Sequence, residues 1–157
     1  MKRKKKARPA IKKPRRTAER AQLQPIGVIR STIKQRSNAP KQGSEGAPDA
    51  WLEIDVQVAR GIDGLSPGDD IIIITWLHMA RRDILQVHPR SDRSKPLTGV
   101  FATRSPDRPN PLGLHPVTIR EVQMNRLRIG PIEAIDGTPV LDIKPVHCGI
   151  SSPKNSS

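Results

Sequence analysis

Leu52–Leu77 reads LEIDVQVARGIDGLSPGDDIIIITWL, two strand signatures on either side of a turn-rich segment. In Leu52–Val58, Leu52, Ile54, Val56 and Val58 alternate with Glu53, Asp55 and Gln57. Successive side chains of a strand point to opposite faces, so this period of two predicts a strand with one buried and one wetted face. Ile71–Leu77 is apolar at both parities and β-branched at its start, which suits a central strand. Between them, Asp63-Gly64 and Pro67-Gly68-Asp69 are turn formers.

The same grammar extends in both directions. Pro25–Arg30 (PIGVIR) reads as a first strand, and Ser37–Pro48 as a loop of small and polar residues. Leu85–His88 and Leu97–Thr103 are short strand expectations around a polar turn, Ser91–Lys95. Val117–Val122 and Arg126–Gly130 form an expected hairpin through Met124-Asn125. Asp136–Pro139 is a turn and Val140–Ile143 a last strand. In Arg104–Gly113, Pro106, Pro109 and Pro111 remove amide donors and fix φ, which predicts a stiff irregular loop. Many short strands with little helical period argue for an all-β, small antiparallel barrel-like domain. No GxGxxG follows a strand and no βαβ alternation is visible, so a Rossmann-type domain is not expected.

A chain of 157 residues has room for one domain. Of its formal charge of +13, +10 lies in residues 1–20. Residues 1–22 are therefore read as a disordered basic arm, residues 23–150 as the barrel domain, and residues 151–157 as a frayed tail. The arm fits either a solubilising or targeting tail or an electrostatic arm for polyanions. Rings are few: Trp51, Trp76 and Phe101, with no tyrosine. An RNA surface built on base stacking needs several, which this chain hardly supplies.

The single cysteine, Cys148, builds neither a disulfide framework nor a thiolate zinc site. His78, His88, His115 and His147 show no metal-ligand spacing, so no metal is expected. The longest apolar stretch, Ile71–Leu77, is seven residues, far below the ~20 that span a bilayer. With no signal-peptide core after the charged N-terminus, the expectation is a soluble, cytoplasmic protein.

Two local features carry potential chemistry. The proline loop presents Arg104, Arg108 and Asn110 on a stiff frame. Its arginines either bind an anionic ligand or pair with Asp83 or Asp107 in a rigid crossover. Asp136-Gly137-Thr138-Pro139, followed by Asp142 and Lys144, reads locally as a turn with a solvated charge pair beyond it.

Three stretches together resemble the TsaA-like (TrmO) family. They are Pro25–Arg30, the long run Gly99–Leu114 (GVFATRSPDRPNPLGL), and Asp136–Pro145 (DGTPVLDIKP). The resemblance implies a small β-barrel that binds S-adenosylmethionine, works as a homodimer with sites near the interface, and methylates N6 of threonylcarbamoyladenosine beside the tRNA anticodon. It places cofactor contacts on Pro40, Lys41, Gln42, His78, Met79, Arg104, Leu114 and the turn Asp136, Gly137, Thr138, Pro139. An N6 bearing a carbamoyl group is a poor nucleophile and needs a hydrogen-bond acceptor, for which Asp142 and His78 stand as catalytic candidates. The chain departs from the family pattern at Lys41, where arginine is usual, at Gly68-Asp69-Asp70, and at His115, where serine is usual. Longer members carry a C-terminal domain, which this chain is read as lacking. Alternative readings are a methyltransferase for another RNA or a small molecule, and a non-catalytic RNA-binding or ligand-sensing module.

Overall fold

The computed structural model describes residues 22–146. The arm up to residue 21, the tail 151–157, and His147 and Cys148 lie outside the described residues.

Eight strands follow in order: β1 (Gly27–Arg30), β2 (Ala50–Ile54), β3 (Asp70–Trp76), β4 (Gln86–Val87), β5 (Thr98–Gly99), β6 (Leu112–Gln123), β7 (Arg126–Gly130) and β8 (Pro139–Pro145). Six close into an antiparallel barrel in the order β1-β2-β7-β6-β3-β8, with β8 returning to β1. β4 and β5 form a separate two-stranded ribbon. The expected all-β barrel is thus the observed fold.

A small barrel is filled by its own side chains, so each strand must supply apolar residues at alternate positions. Ile29, Leu52, Ile54, Ile71, Ile73, Val117, Ile119, Leu127, Ile129 and Val140 do so, all nearly or fully buried. Charged residues take the outer parity: Glu53 on β2 pairs with Arg30 on β1 and Arg126 on β7, and Arg128 on β7 pairs with Glu121 on β6.

The alternation in Leu52–Val58 predicts too long a strand. β2 ends at Ile54 because Asp55 turns the chain: its carboxylate accepts the Gln57 amide at 3.0 Å, and its carbonyl accepts the Val58 amide at 3.0 Å. Val56, on the expected buried parity, is 78% exposed. The chain then passes through a 3-10 turn, Ala59–Ile62, whose Ile62 joins the core. β3 matches its expected position, but only Ile71, Ile73 and Thr75 face inward, while Ile72, Ile74 and Trp76 are half-buried on the outside.

Two further expectations are corrected. Leu97–Thr103 holds only the two-residue β5 and then a 3-10 turn, Val100–Ala102, that buries Val100. β6 starts at Leu112, inside the segment expected to be irregular, and runs straight through Pro116. A proline is tolerated there because β7 pairs with β6 only from Thr118 onward, so one side of the strand has no ladder to lose. The hairpin through Met124-Asn125 is as expected, with Met124 at φ 45°.

Strand directions decide where function can sit. β1, β3 and β7 end at one rim, where β2, β6 and β8 begin. The three long connections, residues 31–49, 77–111 and 131–138, all emerge at that rim. The opposite rim carries residues 55–69 and the short 124–125 turn.

Candidate functional site at the barrel rim

The rim is assembled around Asp107 of the proline loop. Its Oδ2 accepts from Arg36 Nη2 at 2.8 Å and its Oδ1 from the Arg81 amide at 2.8 Å. One carboxylate therefore joins all three of the β1–β2 connection, the segment after β3, and the proline loop itself. Burial pushes the Asp107 carboxyl up, but the Arg36 and Arg81 hydrogen bonds and charges outweigh it and hold it below the usual aspartate value.

The proline loop also runs alongside residues 77–82. Leu77 donates its amide to the Pro111 carbonyl at 2.8 Å, Arg108 donates its amide to the Arg81 carbonyl at 3.0 Å, and Arg82 Nε donates to the Pro109 carbonyl at 3.0 Å. Arg82 lies over the Trp76 ring, 5.2 Å from its centroid. Arg108 pairs with neither Asp83 nor Asp107. It turns inward and donates to the carbonyls of Ser105 (2.7 Å), Val100 (3.0 Å) and Thr103 (2.7 Å), closing the loop on itself. Asp83 pairs with Arg81 instead, at 3.0 Å. Arg104 is exposed on the same loop.

The early loop lies at the same rim. Pro40 is half-buried, and Lys41 and Gln42 are exposed. Lys41 Nζ donates to the Arg90 carbonyl, and Arg90 reaches back to Glu45 at 2.7 Å. His78 and Met79 form an exposed turn directly after β3.

The late turn is more than an ordinary turn. Asp136 Oδ1 accepts the Ser31 amide at 2.9 Å and Oδ2 meets Lys34 Nζ at 2.8 Å. The Lys34 hydrogen bond first, and the Ser31 amide next, hold the Asp136 carboxyl below the usual range. Gly137 has φ +80° and donates its amide to Ile29 at 2.8 Å. Thr138 is buried, with its hydroxyl on the Ile135 carbonyl at 2.6 Å. Pro139 begins β8.

Topology thus brings Pro40–Gln42, His78, Met79, Arg104 and Asp136–Pro139 to one rim. Leu114 and Asp142 sit lower, on the outer wall. They flank Ile74 on its two sides, because Ile74 pairs with Leu114 on β6 and with Asp142 on β8. Leu114 is 50% exposed. Asp142 pairs with Lys144 at 2.9 Å, and that hydrogen bond holds its carboxyl below the usual value against the opposing effect of burial. Among the described residues no hydrogen bond joins Asp142 to His78.

Sequence reasoning did not anticipate Asp107 as the junction, nor Glu133, whose carboxylate accepts from the buried His115. Asp107 stands inside a motif that was noticed for its arginines. Glu133 carries no local signal at all, since its partner is eighteen residues away.

The comparisons with known proteins bear on this arrangement. Residues 28–150 match the family model for the tRNA-methyltransferase O N-terminal domain. The chain belongs to that family. A relative from Methanothermobacter thermautotrophicus, a probable S-adenosyl-L-methionine-binding protein, is 42% identical over 83% of this chain and 93% of its own length. An S-adenosyl-L-methionine-binding protein from Archaeoglobus fulgidus is 42% identical over 78% of this chain and 86% of its own. The crystal structure of TrmO from Pseudomonas aeruginosa superposes with a TM-score of 0.66 at 28% identity, over 87% of this chain. This chain spans 60% of the length of that TrmO structure. Among the described residues of this TrmO-family barrel, no helix is long and apolar enough to cross a membrane.

Proposed function

We propose that this protein is an S-adenosylmethionine-dependent methyltransferase of tRNA, with its cofactor held at the barrel rim. The observation that carries the reading is that the connections bearing Pro40–Gln42, His78–Met79, Arg104 and Asp136–Pro139 emerge at one rim, where Asp107 ties the first three together and Asp136 is tied to Ser31 and Lys34.

The residues present fit the cofactor's chemistry. S-adenosylmethionine combines a carboxylate, an amino group, ribose hydroxyls, a flat adenine and a sulfonium. The rim offers exposed cations at Lys41 and Arg104, an amide at Gln42, a carboxylate at Asp136 and exposed apolar surface at Met79, and the outer wall below it adds exposed apolar surface at Leu114. Trp76 is already covered by Arg82, so carbonyl oxygens and carboxylates, rather than its ring, are the partners for a sulfonium here. When bound, the cofactor supplies an electrophilic methyl group for in-line displacement. The protein's part is alignment, which alone can lower a barrier by several kcal/mol. His78 and the ionised Asp142 are the acceptors we assign to the proton on the substrate nitrogen.

A homodimer belongs to this reading. Ile72, Ile74, Trp76, Leu112 and Leu114 line one outer wall beside Asp142, and Leu112 and Leu114 are 42% and 50% exposed. A second copy on this wall removes that surface from water and adds its own rim to the site. The substrate we assign is threonylcarbamoyladenosine in tRNA, encountered in the cytoplasm. The test is transfer of labelled methyl from S-adenosylmethionine to tRNA that contains the modified nucleoside, to unmodified tRNA, and to the free nucleoside. Transfer to modified tRNA alone supports the full reading. Transfer only to another RNA or to the free nucleoside moves the substrate, and cofactor binding with no product from any pool reduces the protein to a sensing module.

A further inference from the structure

The inner parity of β3 and β6 changes character toward the rim: Ile71 and Ile73 give way to Thr75, and Val117 to His115. Both polar side chains are buried, at 0% and 4% exposure. Thr75 Oγ1 lies 2.8 Å from His115 Nε2, and His115 Nδ1 lies 2.8 Å from Glu133 Oε1. Glu133 belongs to the β7–β8 connection, and Gly43 packs against its carboxylate: a Cβ on Gly43 would lie 3.2 Å from Glu133 Oε2, and the Gly43 amide is among the groups that hold the carboxyl below its usual value. Gly43 immediately follows Pro40-Lys41-Gln42.

Chemistry sets the direction of this chain. An ionised carboxylate only accepts, so His115 donates from Nδ1 to Glu133, and Nε2 shares the remaining hydrogen bond with the Thr75 hydroxyl. Each buried polar side chain thus has a hydrogen-bond partner, as a buried polar chain requires. Two glycines keep it open. A Cβ on Gly113 would lie 2.5 Å from Thr75 Oγ1 and 2.6 Å from His115 Nε2. A Cβ on Gly43 would lie 2.7 Å from the Pro131 carbonyl and 3.2 Å from Glu133 Oε2.

We propose that His115 and Glu133 are positioning residues that fix the Pro40–Gln42 loop at its height above the barrel mouth, through the Thr75–His115–Glu133–Gly43 chain. This rests on the reading of that loop as part of the cofactor site. Thr75 and His115 belong to paired strands of the barrel wall, so this link ties the loop to the rigid barrel in addition to the contacts its own side chains make.

Glu133→Gln tests the proposal. A glutamine that still accepts from His115 turns its NH2 toward the Gly43 amide, donor against donor. Amide hydrogen exchange over residues 41–46 of the cofactor-free protein is expected to accelerate about tenfold or more. Calorimetry is expected to show S-adenosylmethionine bound about tenfold more weakly, with turnover at saturating cofactor within about twofold of wild type. His115→Asn keeps a donor on the Glu133 side and is expected to recover part of the affinity that His115→Leu loses. If Glu133→Gln fails to fold, Gly43→Ala displaces the same loop from outside the barrel, with exposed Ser44→Ala as its control. Unchanged exchange over residues 41–46 in Glu133→Gln, or in Gly43→Ala where that variant stands in, overturns the proposal. Accelerated exchange in a protein whose wild type binds no S-adenosylmethionine leaves the link standing and sinks the cofactor reading instead.

Discussion

Arg36 and Asp107 are joined by a 2.8 Å ion pair across seventy-one residues of sequence, and this contact ties the β1–β2 connection to the proline loop. Their separation in the chain explains why neither residue stands out when read locally. Both ends of the pair are followed or flanked by segments assigned to the cofactor.

The pair makes a prediction about acid. The Asp107 carboxyl is held below its ordinary value of 3.8. A depressed carboxyl stabilises the fold fully above the unfolded value, and that contribution is lost as pH falls from there through the folded value. Asp107→Asn is therefore expected to lower the melting temperature at neutral pH by roughly 2–6 °C, about 1 kcal/mol in a domain of this size. The deficit should shrink as pH falls below the ordinary aspartate value. A deficit that stays constant through acid titration, measured by thermal melts, would show that Asp107 acts by shape rather than charge.

Arg104 and Arg108 share a loop and should separate cleanly by assay. Arg108 satisfies three carbonyls inside the loop. Arg108→Ala is expected to cost about 1.5–3 kcal/mol of stability in denaturant titrations. Arg104 is exposed, so Arg104→Ala should leave stability nearly unchanged and weaken S-adenosylmethionine binding by about 1.5–3 kcal/mol. Calorimetry that finds wild-type cofactor affinity in Arg104→Ala removes it from the site.

The late turn offers a backbone test. Gly137 sits at φ +80° with open space where a Cβ would go, so only conformation opposes a side chain there. Gly137→Val should cost about 1–3 kcal/mol through strain and disturb the turn that presents Asp136. Thr138→Ser keeps the hydroxyl on Ile135 and should change cofactor affinity far less. Equal, negligible effects on cofactor binding from both would leave residues 136–139 as a purely structural turn.

The basic segment 1–20, with a net charge of +10, should supply non-specific tRNA affinity. Each phosphate contact contributes about −0.7 to the log–log salt slope on single strands and about −0.9 on B-form duplexes. Deleting the segment is expected to flatten the slope by several units and raise KM for tRNA. The turnover number at saturating tRNA should hold, because such contacts bind substrate and transition state alike. Binding isotherms across a salt series check this, and an unchanged slope would reduce the segment to a solubility or targeting tail.

The alternation at Leu52 and Ile54, the β-branched run after Asp70, and the glycine and proline turns are local properties of the chain. They were enough to define an all-β domain, because strand period and turn chemistry depend on neighbours a few residues apart. The turn at Asp136–Pro139 was legible for the same reason. Where a strand stops was less so: Asp55 ends β2 by two hydrogen bonds that hydrophobic pattern does not register. That the connections carrying residues 40, 78, 104 and 136 share one rim depends on barrel closure, which sets strand direction and so decides which connections share an end. The interior placement of His115 could not be read from its sequence neighbours. It follows from register: opposite Ile73, with Thr75 and Glu133 within 2.8 Å, it takes the inner parity of β6, and only the tertiary structure supplies the partners that make burial of an imidazole tolerable.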